Sequence, residues 1–397
     1  MAVYQKIDNE QLFSAYSTGD FFLSSPQGSM LGEGVFITSA NDCSKGCTLK
    51  ERIQKMLEEA EQAGIANPIV AGAVPFNSME QPRLVVPADV RFGPQALGNQ
   101  TGMNDSLIKN CQVEQIPAAK VYKAGVKKAV EYIKQGELDK IVLGRTLLVQ
   151  ADHEVKAPAL LQNLLKGNPN GYTFAVDLDG QGRKTLIGAS PELLLSKRGA
   201  CVLSNPLAGS RPRSNHPAED ERRAKELLNS AKDLQEHAIV VKAVVEALDP
   251  YCKTLDVPDG PSLISTETMW HLSTAISGEL KNPAVTSAEL AAALHPTPAV
   301  CGMPTNQAFE RIKEIEPFDR ELFTGIVGWC DAKGDGEWIV TIRCAELEGK
   351  TLRLFAGAGI VEDSDPEEEW KETAAKLKTV LRAMGLREQQ EGEKLSC

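Results

Sequence analysis

Two segments with helical periodicity carry carboxylates at a spacing that could hold a hard cation. In the segment that ends near residue 384, Glu369, Glu372 and Lys376 lie at positions i, i+3 and i+7 and share one stripe. In an earlier segment, Asp233 and Glu236 are also three residues apart. Mg²⁺ prefers oxygen ligands and often takes one or two protein carboxylates together with an anionic group of the substrate. For either helix alone, a solvated face with surface ion pairs is the better explanation.

Two further side chains could move protons. Lys140 begins an apolar strand, and a buried lysine can act as a base because desolvation disfavours its charged form. The spacing by itself favours a lysine that extends to solvent. Glu192 follows Gly188-Ala-Ser-Pro in a turn at the end of a strand, where burial would suit it to general acid catalysis. It could equally cap that turn.

Other patterns that often indicate function are weak in this chain. The stretch Phe355-Ala-Gly-Ala-Gly-Ile lacks the third glycine of a dinucleotide fingerprint and the Gly-Lys-Ser/Thr of a phosphate-binding loop. Its glycines predict a turn or a close approach of the backbone to a ligand. Cys43 and Cys47 are closely spaced, but no second pair completes a zinc site. The nine scattered cysteines therefore indicate reduced, mostly buried thiols.

Composition limits the class of protein. The chain has 397 residues, of which 42% are hydrophobic and 24% charged, as in a globular protein with a large core. Lysine and arginine number 43 against 54 acidic residues, and the net charge of −11 disfavours nucleic acid and anionic membranes as partners. An anionic substrate then needs local cations or a bound metal. Because neither a signal peptide nor an apolar run of about 20 residues is visible, we expect a cytoplasmic protein.

Periodicity and turn signals predict the elements that position these residues. Thr48 and Glu51 are spaced as a capping box, which predicts a helix that begins there and ends before Gly64. A buried strand is predicted at 69–74. Residues 76–112 are expected to be irregular. Further helices are predicted at about 117–135, 158–166, 218–248, 287–294 and 366–384, and further strands at about 140–149, 172–177, 185–188, 193–196, 325–330, 337–344 and 351–356. Consecutive short strands favour antiparallel sheets with helices outside.

Read together, these segments resemble the chorismate-utilising enzymes, which include anthranilate synthase large subunit, aminodeoxychorismate synthase, salicylate synthase and isochorismate synthase. The matching stretches occur in family order from about residue 117 to 385; they are DKIVLGR, GASPELLL, PLAGSRPR, KDLQEHAIVV, MWHLST, HPTPAVCG, EPFDRELFTGIVGW, VTIRCAEL, FAGAGIV and EEEWKETAAKL. The resemblance implies a single large α/β (α+β) domain with two stacked, mainly antiparallel β-sheets, helices outside and a deep active-site cleft. Residues 1–115 would be the N-terminal part of that domain, 116–386 the chorismate-binding catalytic region and 387–397 a polar tail.

The resemblance also implies a role for each candidate residue. Lys140 would be the general base that activates water for attack at C2 of chorismate, and Glu192 the general acid that protonates the departing C4 hydroxyl. Mg²⁺ is the implied cofactor, with Glu236 and Glu372 as its ligands. Asp233 and Glu369 would support the metal-bound waters. Arg343 and the backbone at Gly357 would hold the enolpyruvyl carboxylate. The residues that would line the substrate are Gly209, Ser210, His271, Ala299, Val300, Phe323 and Lys376.

Within this family the chain most resembles the siderophore-type isochorismate synthases. Ala208 stands where aminodeoxychorismate enzymes carry a nucleophilic lysine, and salicylate synthases are more polar at the positions of Ala299 and Phe323. The resemblance therefore implies release of isochorismate as a first step towards 2,3-dihydroxybenzoate, in an enterobactin-like or bacillibactin-like pathway. A monomer is expected, with isochorismatase acting downstream. The alternatives are a menaquinone-pathway isochorismate synthase, a salicylate synthase and a non-catalytic chorismate-binding relative.

Overall fold

The computed structural model of the chain describes residues 5–6, 9–39, 46–98 and 106–386. Cys43 and the polar tail lie outside the described residues. The helices are α1 (Asn9–Ala15), α2 (Leu49–Gln62), α3 (Ala119–Lys134), α4 (Ala157–Gly167), α5 (Pro217–Leu228), α6 (Ala231–Leu248), α7 (Ser287–Leu294), α8 (Thr305–Ile315) and α9 (Pro366–Ala383).

The strands lie between these helices and are mostly short. In chain order they are β1 (Gln5–Lys6), β2 (Phe21–Ser25), β3 (Gly28–Glu33), β4 (Ile37–Thr38), β5 (Ile69–Val74), β6 (Arg83–Val86), β7 (Asp89–Gly93), β8 (Cys111–Ile116), β9 (Lys140–Ala151), β10 (Tyr172–Asp177), β11 (Lys184–Ser190), β12 (Leu193–Arg198), β13 (Cys201–Asn205), β14 (Leu207–Pro212), β15 (Cys252–Asp256), β16 (Ser262–Ser265), β17 (Met269–Ser273), β18 (Ile276–Leu280), β19 (Gly302–Met303), β20 (Ile326–Asp331), β21 (Gly336–Val340), β22 (Cys344–Glu348) and β23 (Thr351–Ile360).

The strands form two large sheets and a small one. The larger sheet has the order β1-β7-β3-β2-β10-β11-β22-β23-β9-β19, and β8 also pairs with β9. The second sheet has the order β15-β18-β13-β12-β21-β20-β5-β6-β4, and β14, β17 and β16 make a third sheet. In the described part of the chain, β1 with β7 is the one parallel pair. Strands from both ends of the chain thus enter the same sheets.

A continuous core lies between the two large sheets. It includes Phe174, Leu186 and Phe355 from the larger sheet and Val327 and Ile339 from the second. Helices α4 and α9 cover the outer face of the larger sheet, and α2, α6 and α7 cover the outer face of the second. The predicted arrangement of stacked, mainly antiparallel sheets with helices outside is confirmed, because each sheet buries one face against the other and one against helices.

Several predicted elements are confirmed in detail. Helix α2 begins with the expected capping box, in which the Thr48 hydroxyl accepts a hydrogen bond from Glu51 N at 3.2 Å and Glu51 Oε2 accepts one from Thr48 N at 2.8 Å. The predicted irregular segment 76–112 is wrong, since it contains β6 and β7 and the start of β8. These strands were missed because each has only four to six residues and ends at or next to a proline or glycine, so their alternation is too brief to detect.

Two predicted elements are each divided in the structure, and both divisions matter for the site. The helical segment 218–248 breaks after α5, and the Ser230 side chain caps α6 by accepting from Asp233 N. The predicted strand 337–344 ends at Val340, and β22 begins only at Cys344. Arg343 lies in the intervening turn with a positive φ of 52°. None of the helices described in this structure has the length and apolar character needed to span a membrane.

Candidate active site

A pocket lies where β9 and β23 of the larger sheet meet α6, α9 and the three-stranded sheet. Its empty volume, mouth included, is about 630 Å³. Most of the predicted site residues line it, although they come from segments far apart in the chain. Those lining it are Glu192, Gly209, Ser210, Glu236, His271, Ala299, Val300, Phe323, Arg343, Gly357, Glu372 and Lys376.

Lys140 lies behind the pocket wall, and the expectation that its side chain extends to solvent is wrong. The residue is 0% exposed, and its Nζ is 2.9 Å from Glu236 Oε1. The physical reason is that β9 is an interior strand, paired with β23 on one side and with β8 and β19 on the other. Gly359 on β23 leaves the room that the lysine needs, since a Cβ there would lie 3.0 Å from Lys140 Cε.

Glu192 lies between β11 and β12, as the strand-end prediction placed it. Its backbone N–H donates to the Ser190 hydroxyl, and its Oε1 accepts from Leu207 N at 3.4 Å. Burial raises the pKa of Glu192 to about 7, against the opposing effects of the Leu207 hydrogen bond and the charges of Lys140, Lys376 and Arg343. This carboxyl group can therefore hold a proton near neutral pH and donate it to a ligand in the pocket.

Glu372 and Lys376 form an ion pair one turn apart on α9, and this pair faces the pocket. Lys376 Nζ is 2.6 Å from Glu372 Oε1 and donates to the carbonyl of Gly357 at 2.9 Å. Ser210 Oγ donates to the same carboxylate oxygen at 3.0 Å. Burial acts to raise the pKa of Glu372, but Lys376 and the hydrogen bonds outweigh burial and lower it. The carboxylate is thus held ionised within the pocket.

Arg343 forms the cationic end of the pocket, and His271 lies against it. Arg343 Nη2 donates to His271 Nε2 at 3.2 Å, which requires a neutral imidazole ring. Burial, followed by the charges of Arg343 and Lys376, lowers the pKa of His271 well below its usual value. Burial also lowers the pKa of Arg343 to about 10, so the guanidinium keeps its charge at neutral pH. This charge is available to an anionic ligand.

Asp233 and Glu369 do not line the pocket but lie beside Glu236 and Glu372 on α6 and α9. Each is paired with a cation that sequence reasoning missed: Arg211 Nη2 is 2.6 Å from Asp233 Oδ2, and Lys232 Nζ is 2.7 Å from Glu369 Oε1. Both cations stand next to predicted site residues in the matching stretches PLAGSRPR and KDLQEHAIVV. Adjacency along the chain was therefore the available signal.

The charges of Glu236 and Glu372 act on their acidic neighbours Asp233 and Glu369. Burial and then the charge of Glu372 raise the pKa of Glu369 to about 7. Burial raises the pKa of Asp233, and Glu236 and Glu372 add to that effect. Among the residues that the structure describes, no three His, Cys, Asp or Glu side chains converge closely enough to hold a metal ion unaided. A cation held by these carboxylates would take few of them and complete its shell with water and substrate, as Mg²⁺ does.

An apolar wall faces these charged groups. Ala299, Val300 and Phe323 line it, together with Thr324 and Ile342, which sequence reasoning missed. Phe323 stacks on Phe355 with ring centroids 5.1 Å apart. Neither Thr324 nor Ile342 belongs to a periodic pattern, so only their adjacency to Phe323 and Arg343 could have indicated them.

Comparison with known proteins places this geometry in context. A family model described as chorismate binding enzyme matches residues 95–385. Isochorismate synthase DhbC of Bacillus subtilis (strain 168) is 52% identical over 383 residues, which cover 95% of this chain and 96% of the relative. The vibriobactin-specific isochorismate synthase of Vibrio cholerae serotype O1 is 42% identical over 386 residues, which cover 96% of each chain.

The same similarity extends to a solved structure. A crystal structure of a Bacillus anthracis protein, DhbC, assigned as a 2,3-dihydroxybenzoate-specific isochorismate synthase, matches with a TM-score of 0.89 and 51% identity. The match covers 96% of this chain and 100% of that one. The similarity thus includes the first hundred residues as well as the pocket-forming segments.

Proposed function

The chain belongs to the family of chorismate binding enzymes, and from this premise we propose that it is an isochorismate synthase, an isomerase that converts chorismate to isochorismate. The relatives support the proposal because they are named for this activity and align with almost the whole chain. The observation that carries it is Glu192, a buried carboxyl group whose pKa is raised to about 7 in a pocket that also holds carboxylates and two cations.

In the proposed reaction a water molecule attacks C2 of chorismate, the ring double bonds shift, and the C4 hydroxyl leaves as water. Lys140 would take a proton from the attacking water, and Glu192 would give one to the departing hydroxyl. The exchange is balanced, because one water enters, one leaves and each proton has a named donor and acceptor. General acid–base groups of this kind contribute on the order of 10²- to 10⁴-fold each.

Mg²⁺ is the proposed cofactor. Glu236 and Glu372 would hold it, and Asp233 and Glu369 would hold its waters, since the charges of Glu236 and Glu372 reach Asp233 and raise its pKa, and the charge of Glu372 does the same at Glu369. A bound Mg²⁺ would supply the positive charge that the ring carboxylate of chorismate needs. Arg211, Lys232 and Lys376 are paired with Asp233, Glu369 and Glu372, which supports a cluster whose negative charge needs compensation.

The second carboxylate of chorismate, on the enolpyruvyl group, would bind Arg343 and the backbone at Gly357. Arg343 presents a guanidinium that is nearly all buried, and a desolvated guanidinium forms strong, oriented hydrogen bonds with carboxylates. His271, Lys376, Gly209 and Ser210 would line the ring of the substrate. The neutral His271 would orient Arg343 without adding charge.

We assign the chain to the 2,3-dihydroxybenzoate siderophore branch. The Bacillus anthracis relative, assigned as 2,3-dihydroxybenzoate-specific, supports this branch over the menaquinone branch. The small Ala208 and the apolar Ala299 and Phe323 support release of isochorismate over amination or pyruvate elimination. A cytoplasmic monomer whose product is consumed by an isochorismatase stays a prediction.

The test is incubation of the purified chain with chorismate and Mg²⁺, followed by chromatographic identification of the product. We expect isochorismate as the main product and no turnover when Mg²⁺ is chelated. Absence of turnover with Mg²⁺ present, in a protein that still binds chorismate, would indicate the non-catalytic alternative. Salicylate with pyruvate as the main products would indicate a salicylate synthase.

A further inference from the structure

A buried ion pair next to the pocket has no part in the proposed chemistry. Glu316, at the end of α8, and Arg320 are each 3% exposed at the side chain, and Arg320 Nε donates to Glu316 Oε2 at 2.8 Å. The second oxygen of Glu316 accepts from Gly144 N on β9 at 2.6 Å. A buried ion pair is retained without loss of stability only where further hydrogen bonds satisfy both partners. The remaining donors of Arg320 show what the pair does.

Arg320 connects three chain segments that line the pocket, two of them in its apolar wall. Its Nη2 donates to the carbonyl of Val142 on β9 at 2.7 Å, and its Nη1 donates to the carbonyl of Val300 at 2.8 Å. The same Nη1 donates to Thr324 Oγ1 at 3.2 Å. All three acceptors belong to residues that line the pocket. One guanidinium therefore fixes two parts of the apolar wall relative to β9.

The wall contains a strained residue that needs such support. Thr324 has a φ of 62°, a left-handed conformation that is unfavourable for a β-branched residue. Its N–H donates to the carbonyl of Thr341, and Thr341 N donates to Gly325 O, both at 2.8 Å. This pairing connects the turn that carries Phe323 to the turn that carries Arg343. A shift at Thr324 would therefore move both the apolar wall and the cationic end of the pocket.

The packing of Phe323 leaves little room for movement. A Cβ at Gly144 would lie 3.1 Å from the Phe323 ring and 3.2 Å from Glu316 Oε1, so the backbone of β9 touches both. The Arg320 guanidinium lies 5.8 Å from the centre of the Phe323 ring and 4.6 Å from that of Phe76. Arg320 thus contacts the wall through its hydrogen bonds and through the aromatic ring.

We infer that Arg320 is a positioning residue that sets the shape of the substrate pocket and the product that leaves it. It acts by holding the segments of Val300, Phe323 and Thr324 against β9, and it does not contact the reacting atoms. The inference rests on the proposed function for its substrate, chorismate. The alternative is a purely structural ion pair, whose loss would destabilise the whole fold without changing the pocket.

Arg320→Lys distinguishes the two possibilities. A lysine keeps the positive charge beside Glu316, so the buried carboxylate stays compensated. Its single ammonium cannot reach both backbone carbonyls and the Thr324 hydroxyl as the planar guanidinium does. The matched control is Lys197→Met, which breaks another buried ion pair, Lys197 with Asp335 at 2.9 Å, between β12 and the β20–β21 turn. Lys197 does not line the pocket.

The first readout is hydrogen–deuterium exchange measured by mass spectrometry, which needs no activity. In Arg320→Lys we expect faster exchange in peptides covering 297–303 and 320–326, with other core peptides unchanged. In Lys197→Met those two segments should exchange as in the unaltered protein, even if its melting temperature falls. Unchanged exchange at 297–303 and 320–326 in Arg320→Lys would overturn the inference, whatever reaction the chain catalyses.

The second readout is steady-state kinetics with chorismate. In Arg320→Lys we expect kcat/KM to fall about tenfold, less than the roughly hundredfold that a misplacement of about 1 Å can cost, with an increased fraction of pyruvate among the products. Lys197→Met should keep the KM and product ratio of the unaltered protein. If Arg320→Lys also keeps the KM and the product ratio, the inference is wrong. If the unaltered protein does not turn over chorismate, the proposed function fails, and the hydrogen–deuterium exchange experiment alone decides the role of Arg320.

Discussion

Burial decides which side chains of the pocket hold a proton near neutral pH. Glu192 and His271 are both almost fully enclosed, and burial disfavours the charged form of each. The pKa of Glu192 is raised to about 7, whereas that of His271 is lowered well below its usual value. Near pH 7 the pocket therefore combines a carboxylic acid that can donate a proton with a histidine that stays neutral beside Arg343.

The rate should fall as pH rises through the pKa of Glu192. The proposed acid must be protonated before the C4 hydroxyl leaves, and its pKa of about 7 places that decline just above neutrality. Measurement of kcat against pH with saturating chorismate and Mg²⁺ checks this. Glu192→Gln should lose on the order of 10²- to 10⁴-fold in kcat and should lose that decline. A rate that stays constant to pH 9 in the unaltered protein would exclude Glu192 as the acid.

The same carboxyl group should reduce stability at high pH. Its pKa is raised on folding from 4.5 to about 7, so the cost of ionising it in the folded state is absent below pH 4.5 and complete above pH 7. Because a difference of one in pKa corresponds to about 1.4 kcal/mol, the cost of ionising Glu192 at high pH reaches about 3 kcal/mol. The free energy of unfolding of Glu192→Gln, relative to that of the unaltered protein, should therefore increase from pH 5 to pH 8. Denaturant titrations of both proteins at both pH values measure this. The same difference between the two proteins at pH 5 and at pH 8 would contradict the raised pKa of Glu192.

Lys140→Ala should leave a folded protein that binds chorismate but does not convert it. The lysine is the proposed base and meets the pocket at Glu236 Oε1, 2.9 Å from its Nζ, so its loss removes proton transfer without removing a side chain that lines the pocket. We expect a loss on the order of 10²- to 10⁴-fold in kcat, with chorismate affinity, measured by calorimetry, little changed. Lys140→Met fills the space as a control for the cavity. Near-normal turnover in either variant would show that another group is the base.

Between elements, the close approach of β23 to α6 limits the position of Glu236, one of the candidate metal ligands. A Cβ at Gly359 would lie 2.1 Å from Glu236 Oε1, so this glycine lets the carboxylate lie directly against the strand. At Gly357, two residues away on the same face, a Cβ would meet nothing closer than 3.3 Å. The two glycines therefore provide a matched pair of substitutions.

Gly359→Ala should fold but bind Mg²⁺ weakly. The group in the way is the end of a flexible side chain, so Glu236 can rotate aside and leave the fold intact while losing its place as a ligand. The Mg²⁺ affinity measured by calorimetric titration should be lower in this variant and in Glu372→Gln than in the unaltered protein. The rise in melting temperature on addition of Mg²⁺ should also be smaller in both variants. Gly357→Ala should retain Mg²⁺ binding. Equal Mg²⁺ affinity in Gly359→Ala and the unaltered protein would contradict the assignment of Glu236.

The elements around the site also show what could be predicted from sequence. Helix α9 has a long periodic pattern and strand β9 begins with an apolar run, so their positions and the shared stripe of Glu372 and Lys376 were predictable. The burial of Lys140 was not, because the number of strands flanking β9 depends on pairing with residues far along the chain. The roles of the site residues could be predicted only from the family resemblance, because the Glu372–Lys376 pair has the same local sequence pattern as an ordinary surface ion pair.

Across the whole molecule, the anionic substrate must enter a protein with a net charge of −11. Chorismate carries two carboxylates, and the pocket offers Arg343 and Lys376 together with a cluster that fits Mg²⁺. In the described structure Lys376 is paired with Glu372, so the pocket compensates its own charges before any ligand arrives. Binding of substrate and of the proposed Mg²⁺ would then exchange internal ion pairs for external ones and limit the cost of desolvation.

The product should be isochorismate, with little salicylate and no nitrogen incorporated when ammonia is present. After water adds at C2, the product can leave, or a second step can eliminate pyruvate, which needs polar contacts around the enolpyruvyl group. Ala299 and Phe323 provide no hydroxyl there, and one hydrogen bond to a charged group is worth roughly 1.5–3 kcal/mol, or about ten- to a hundredfold in the partition. The double change Ala299→Thr with Phe323→Tyr should therefore raise the salicylate and pyruvate fraction. Ala299→Val, which matches threonine in shape without its hydroxyl, should not. Chromatography of the products decides the matter: an equal partition in the double variant and the valine control would show that contacts elsewhere in the cleft set the product.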